Sequence, residues 1–274
     1  MGDNEFQDWI GRAAETSDTV TARLLGEFRA TLAPHLFDPE RPDTAPPGFH
    51  WALAPPLPAM AALGEDGSQA KGLLVPPIAA PHRMWAGGSV ESLAPIRLGA
   101  SIRRRSSVAA IERRTGASGD LHFVSIRHLI EADGILAVRE RQDLVFRAAA
   151  STIGQGKPAD PLAAGLDWTL DAGPVLLFRF SALTFNAHRI HYDEAFSRSE
   201  GYAGPLVQGP LQATLMLNQV SALHGQVPQR FDYRCVAPLV AAAGIRIVSA
   251  GGDSRVLRPD GTITAEGRIR APAP

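Results

Sequence analysis

Residues 210–223, PLQATLMLNQVSAL, form a helix-length stretch that is apolar on nearly every side. Such a helix cannot lie on a protein surface, so the rest of the chain must surround it. Gly209 and Pro210 open it, and proline in the first turn loses no hydrogen bond there. Strand-like runs follow at residues 229–236, 244–250, 254–258 and 262–270, with Asp260 and Gly261 as a tight hairpin turn. One buried helix followed by antiparallel strands predicts an α+β arrangement in which a sheet wraps the helix.

The first half carries a similar alphabet in a different order. Residues 18–32 place Val20, Leu24, Leu25, Phe28 and Leu32 on one helical face. Residues 34–81 are too rich in proline for long helices or central strands. Four strands are expected at 84–91, 100–113, 121–131 and 135–146, in a meander. Residues 148–164 read as a linker, which divides the chain into an N-terminal domain, 1–150, and a C-terminal domain, 165–274. The apolar run at 175–184 reads as a strand, leading into an irregular stretch through Tyr202. Residues 193–199 could form a short helix capped by Asp193.

Composition removes several function classes. A formal net charge of −1 gives no footprint for nucleic acid or a membrane surface. Cys235 is the only cysteine, which excludes an intrachain disulfide and a cysteine zinc site. The acidic N-terminus has no secretory pattern and no run reaches the ~18 apolar residues of a spanning helix, so the cytoplasm is expected.

The densest polar cluster lies in residues 180–193, FSALTFNAHRIHYD, and ends shortly before the buried helix. A helix start offers free N–H groups and a positive dipole end. His191 is the natural base, since an imidazole titrates near neutrality. Asn186 can hold a water molecule but cannot take its proton. Gly209 would let a carbonyl oxygen approach the backbone N–H at the helix start. His188 and Asp193 are further candidates. Each has a plainer reading: Asn186 forms a turn, Asp193 caps a helix, Gly209 permits close packing and His188 is merely exposed. His188 and His191 lack a third ligand at familiar spacing, so no metal is expected. Arg103 to Arg105 read as a solvated strand edge. Trp51, Trp85 and the prolines at 55–58 either line an acyl pocket or fill a core.

Residues 186–191, NAHRIH, followed by GPLQATL, resemble the MaoC-like, or R-specific enoyl-CoA hydratase, family of the hotdog fold. That family's motif is Asp-x-Asn-Pro-x-His. Here the histidine position is His191, while Asn186, His188 and Arg189 replace the aspartate, asparagine and proline. The longer pattern is similar to the subgroup of type 2 3-hydroxyacyl-thioester dehydratases and mesaconyl-C4-CoA and itaconyl-CoA hydratases. Trp9, Ile10, Gly11 and the run Arg83 to Gly88 extend the similarity into the first half. The resemblance implies a double hotdog, degenerate in the first repeat and catalytic in the second, with the helix over residues 18–32 as the best candidate for the first repeat's counterpart of the buried helix. It implies a hydro-lyase that adds water to the C2=C3 bond of an enoyl thioester, with His191, Asn186 and Gly209 at the centre and no cofactor beyond the thioester. The substrate would be carried by CoA or acyl-carrier protein, and a homodimer is expected. A dicarboxylyl substrate would need a cation from Arg189, Arg83 or Arg179. Trp85 joins Arg83 and Arg189 among the expected substrate contacts. The competing readings are a hotdog thioesterase and a non-catalytic acyl-thioester-binding module.

Overall fold

A computed structural model describes residues 6–38, 41–116, 119–147, 156–158 and 165–271. Its strands are β1 (Ala13–Thr19), β2 (His82–Ser92), β3 (Ser101–Gly116), β4 (Gly119–Ala132), β5 (Ile135–Arg147), β6 (Leu166–Ala172), β7 (Arg230–Cys235), β8 (Ala242–Ala250), β9 (Asp253–Leu257) and β10 (Ile263–Ile269). The helices are α1 (Ala22–Leu32), α2 (Pro174–Leu183), α3 (Glu194–Ser199) and α4 (Gly209–His224). All ten strands form one antiparallel sheet, in the order β1-β3-β4-β5-β2-β7-β10-β9-β8-β6. Each half repeats one strand order, and the halves join where Gly88 of β2 faces Tyr233 of β7. This is the double hotdog, an α+β fold.

α4 is the central helix, and its residues from Pro210 to Ser221 are all buried. Burial forces its polar side chains to find partners. Gln212 accepts from Thr264 at 2.8 Å, and Gln219 donates to the Ile247 carbonyl at 2.6 Å. Asn218 turns to the first half, donating to the Pro47 carbonyl and accepting from the Phe37 N–H. Gly225, at φ 67°, ends the helix in the left-handed conformation glycine favours.

The first half has no counterpart of α4. α1 follows β1 as α2 follows β6, and the two helices meet where Arg179 Nη1 donates to the Ala30 carbonyl at 3.4 Å. Before β2 the described residues hold the buried single turn Phe49–Ala52, which packs on α4, and a second turn, Met60–Ala62, that buries no residue. Gly48 makes that approach feasible: at φ +86°, a Cβ there would lie 2.8 Å from the Thr214 side chain. The expectation that the helix near residues 18–32 is the first repeat's central helix is thereby corrected. Its start is also later than expected: Asp18 belongs to β1, and Thr21 caps the helix by accepting from the Leu24 N–H at 3.1 Å.

Three further expectations change. Residues 175–184 are helical rather than extended, because Pro174 starts α2 and Leu177, Phe180 and Leu183 recur at helical spacing on its buried face. Two edge strands join the expected ones: β1 carries only Ala13 and Ala14 as apolar residues and so marks no buried face, whereas β6 alternates Leu166, Trp168, Leu170 and Ala172 with polar residues, a period-two pattern that its position beyond the expected linker left unassigned. The run Arg103 to Arg105 is not an edge, since β3 pairs with both β1 and β4. Arg103 and Arg105 are exposed, but Arg104 is buried beside Glu140, Nη2 to Oε2 3.9 Å. Most of the expected linker at 148–164 lies outside the described residues.

Glu140 is fully buried; it accepts from Trp51 Nε1 at 2.9 Å, and His50 stands 3.8 Å away. Burial pushes the Glu140 carboxyl up, with Arg104 and Trp51 opposing the shift. Removing one partner of a buried pair strands the other in a low dielectric. Arg104→Met should therefore cost about 3–5 kcal/mol, and Arg104→Met/Glu140→Leu should recover most of it. Urea unfolding of the two variants checks this.

Candidate active site

A cavity of about 830 Å³ runs between the two halves. His191, Asn186, His188, Gly209, Arg83 and Trp85 all line it. Trp51 and Pro55, Pro56 and Pro58 also line it, so the pocket reading of these groups agrees with their placement.

His191 sits in a single turn, Arg189–His191, between α2 and α3. Its Nδ1–H donates to the Leu206 carbonyl at 2.8 Å. That bond fixes the tautomer with the proton on Nδ1 and leaves Nε2 as an acceptor. The ring is buried, and burial pulls the imidazole down to about 4 against the opposing Leu206 hydrogen bond. His191 is therefore neutral at physiological pH and able to accept a proton.

Asn186 Oδ1 accepts from the His188 N–H at 3.0 Å, closing a turn that brings the two histidine rings 5.5 Å apart and nearly perpendicular. Asp193 is otherwise engaged. One oxygen caps α3 through the Phe196 N–H at 2.9 Å, and the other accepts from Arg189 at 2.8 and 3.0 Å. Neither Asp193 nor Arg189 lines the cavity. Arg189 instead ties the α3 cap to the first half, donating to the Glu65 carbonyl at 3.2 Å. Arg179 also lies outside the cavity.

Gly209 is the first residue of α4. The first N–H groups of a helix have no intrahelical acceptor, and Pro210 has no N–H at all. The Gly209 and Leu211 amides are then the donors at this helix start. A Cβ on Gly209 would lie 3.2 Å from Trp85 and 3.3 Å from Cys235 Sγ. A register shift in β2 between Trp85 and Gly87 aims the indole here, where Nε1 donates to the Tyr233 hydroxyl at 3.0 Å. Burial pushes the Cys235 thiol up to about 12, so it stays protonated.

One residue was not singled out in the sequence. Asp66 comes from the Pro-rich loop of the first half and reaches the histidine motif. Its Oδ2 stands 3.6 Å from His188 Nε2 and 3.7 Å from Arg83. The Arg189 N–H donates to the Asp66 carbonyl at 2.8 Å. Gly67, at φ +77°, allows this contact, since a Cβ there would stand 2.1 Å from the Ala187 carbonyl oxygen. The sequence signal was only an Asp-Gly turn, which says nothing of what the loop touches.

One ten-stranded sheet around a central helix, with a neutral, oriented histidine and the helix start lining the same cavity, is the frame of a double-hotdog hydro-lyase. The sequence profile of hydroxyacyl-thioester dehydratase type 2 matches residues 48–241, and the chain belongs to that family. The mesaconyl-C(4)-CoA hydratase of Chloroflexus aurantiacus is 34% identical over 260 residues, 93% of this chain and 92% of the relative. The mitochondrial hydroxyacyl-thioester dehydratase type 2 of Schizosaccharomyces pombe is 32% identical over 124 residues, 43% of this chain and 38% of its own. Among solved structures, HtdX of Mycobacterium tuberculosis superposes with a TM-score of 0.69 at 16% identity, covering 95% of this chain and all of that one. A second protein from that organism, described as a double hotdog, gives 0.58 at 15% identity, covering 95% of each chain. No helix among the described residues is long and apolar enough to cross a membrane.

Proposed function

We propose that the enzyme adds water across the C2=C3 bond of an enoyl-CoA whose acyl group carries a second carboxylate, with His191 as the base. The observation that carries the mechanism is the His191–Leu206 hydrogen bond, which presents an unprotonated Nε2. Nε2 takes a proton from water as the oxygen bonds to C3. The π electrons move toward C2, and negative charge develops on the thioester oxygen. The Gly209 N–H and the positive end of α4 stabilise that oxygen, a role worth about 3–4 kcal/mol for one such donor. The imidazolium then returns its proton to C2, which restores the neutral ring. Residues 165–274 are read as the catalytic repeat and residues 1–150 as the degenerate one, which supplies the far wall of the cavity.

Two observations support the dicarboxylyl substrate. The relative from Chloroflexus aurantiacus, similar over 93% of this chain, is named for such a thioester. Of the cations lining the cavity, Arg104 faces Glu140 and Arg147 meets Tyr202, which makes Arg83 our candidate for reading the extra carboxylate. It lines the cavity, its contact with Asp66 at 3.7 Å is longer than a hydrogen bond, and no hydrogen bond among the described residues engages its fork of donors. Arg189 and Arg179, the alternatives by sequence, point elsewhere.

Hydration of mesaconyl-C4-CoA, itaconyl-CoA and crotonyl-CoA tests this directly, with loss of the enoyl absorbance as the readout. A dicarboxylyl thioester should have the highest kcat/KM, and Arg83→Met should lower that value by about 10- to 100-fold, mainly through KM. Equal turnover of crotonyl-CoA would remove the dicarboxylyl assignment. Release of free thiol without hydration would replace the hydro-lyase with a thioesterase.

A further inference from the structure

None of the described residues lining the cavity is an aspartate or glutamate, and the Asn186 carbonyl oxygen already accepts from the His188 N–H. The attacking water has two hydrogens, and His191 Nε2 can accept only one. The other needs an acceptor on the same wall.

We infer that His188 Nδ1 is this second acceptor and that Asp66, from the first half, is the positioning residue that fixes the His188 tautomer. This rests on the reading of His191 as the base. The Asp66 carboxylate is held from two sides: its Oδ1 accepts from the Ser68 N–H and its Oδ2 from the Ser68 hydroxyl, both at 2.9 Å. Its backbone is pinned by the Arg189 N–H, and Gly67 packs on the Ala187 carbonyl. The carboxylate therefore stays beside His188 Nε2, at 3.6 Å. A negative charge at one ring nitrogen favours the N–H on that nitrogen. Nδ1 is then left with its lone pair, on a ring that lines the cavity beside His191.

The charges facing His188 are consistent with an acceptor. Burial, the neighbouring His191 and Arg83 pull its imidazole down to about 3, and Asp66 opposes them. Burial raises the Asp66 carboxyl, but the Ser68 amide, Arg83 and His188 outweigh it and hold the group ionised. Both rings are thus neutral acceptors at physiological pH. Placing the carboxylate behind His188, with Arg83 beside it, also keeps a bare negative charge off the wall that an anionic substrate must approach.

A double-mutant cycle on the full-length enzyme decides the matter. Asp66→Ala and His188→Ala should each lower kcat about 10- to 100-fold, with KM nearly unchanged. The double variant should be no slower than His188→Ala, because Asp66 acts through that ring. Asp66→Asn should keep most of the activity, since its carboxamide oxygen can still face Nε2. His188→Leu removes the acceptor and leaves the Asp66 loop intact, so it carries the same kcat test if Asp66→Ala does not fold. Additive losses in the cycle, or wild-type kcat in His188→Leu, would overturn the inference. His191→Ala separates the two levels. If it retains turnover, the base assignment itself fails. If it is inactive while the cycle is additive, only the roles of Asp66 and His188 fall.

Discussion

His191→Ala lowers kcat by on the order of 10²–10⁴, the usual cost of losing a general base, while the protein stays folded. Among the described residues the imidazole makes one protein hydrogen bond, to the Leu206 carbonyl, and its other nitrogen is the proposed proton acceptor. KM should change little, because the ring contributes to bond making rather than to holding the acyl group. The pH profile follows from the same geometry. A base depressed to about 4 is unprotonated from mildly acidic pH upward, so the acidic limb of kcat/KM should lie near pH 4 rather than near 6.5. Asn186→Asp should move that limb upward, because a carboxylate beside the imidazole stabilises its protonated form. Steady-state kinetics from pH 4 to 8 on the three proteins checks both points. Wild-type turnover in His191→Ala removes this residue from the mechanism.

Acid should unfold this protein earlier than its carboxylates alone would require. Five histidines are held below their ordinary value, each mainly by burial, and of these His50, His128, His188 and His191 are more deeply enclosed than His35. In the unfolded chain they protonate as pH falls through about 6.5. In the folded chain they stay neutral to about 3 for His50 and His188 and about 4 for His191. The unfolded state therefore binds more protons throughout this window. Stability is fully present above 6.5 and is lost as pH drops toward 4, at up to about 1.4 kcal/mol per pH unit for each histidine. Glu140 works in the opposite sense. Its raised pKa favours the folded state at low pH, and that contribution fades as pH rises, one group against five. Urea midpoints should fall steeply between pH 7 and pH 5. His128→Gln should flatten the slope by about one proton while keeping a polar side chain between Ser106 and Gln142, the two partners of the native ring at 2.8 and 2.9 Å. A midpoint unchanged from pH 7 to 5 contradicts the buried, neutral state of these rings.

The sequence by itself determined the helix from Gly209, the strands after it and the meander of β3 to β5, but not the place of β2, which pairs with β5 and β7 instead of continuing the meander beside β3. Each of these carries a local signal that burial only reinforces. The helix is apolar all round, and the central strands end at glycine, aspartate or serine turns. The histidine motif at 186–191 and the Gly-Pro helix start made His191 and Gly209 candidates, and both line the same cavity. Only the tertiary structure decided the rest. Residues 175–184 are a mostly apolar run, interrupted by Arg179 and Ser181, that serves a strand or a buried helix equally, and the choice depends on which face meets α1 and β6. The missing central helix of the first half was invisible because α4 already fills the shared interior, leaving space for one buried turn at Phe49–Ala52. Arg104 looks like its exposed neighbours until its strand is paired on both sides, which turns its alternating position inward beside Glu140. Asp66 lies 122 residues from His188, on a loop whose composition marks only a turn, and nothing local says what the loop touches. The close contact of Gly67 with the Ala187 carbonyl sets that loop against the histidine turn, and a contact between distant segments exists only once the two halves have packed.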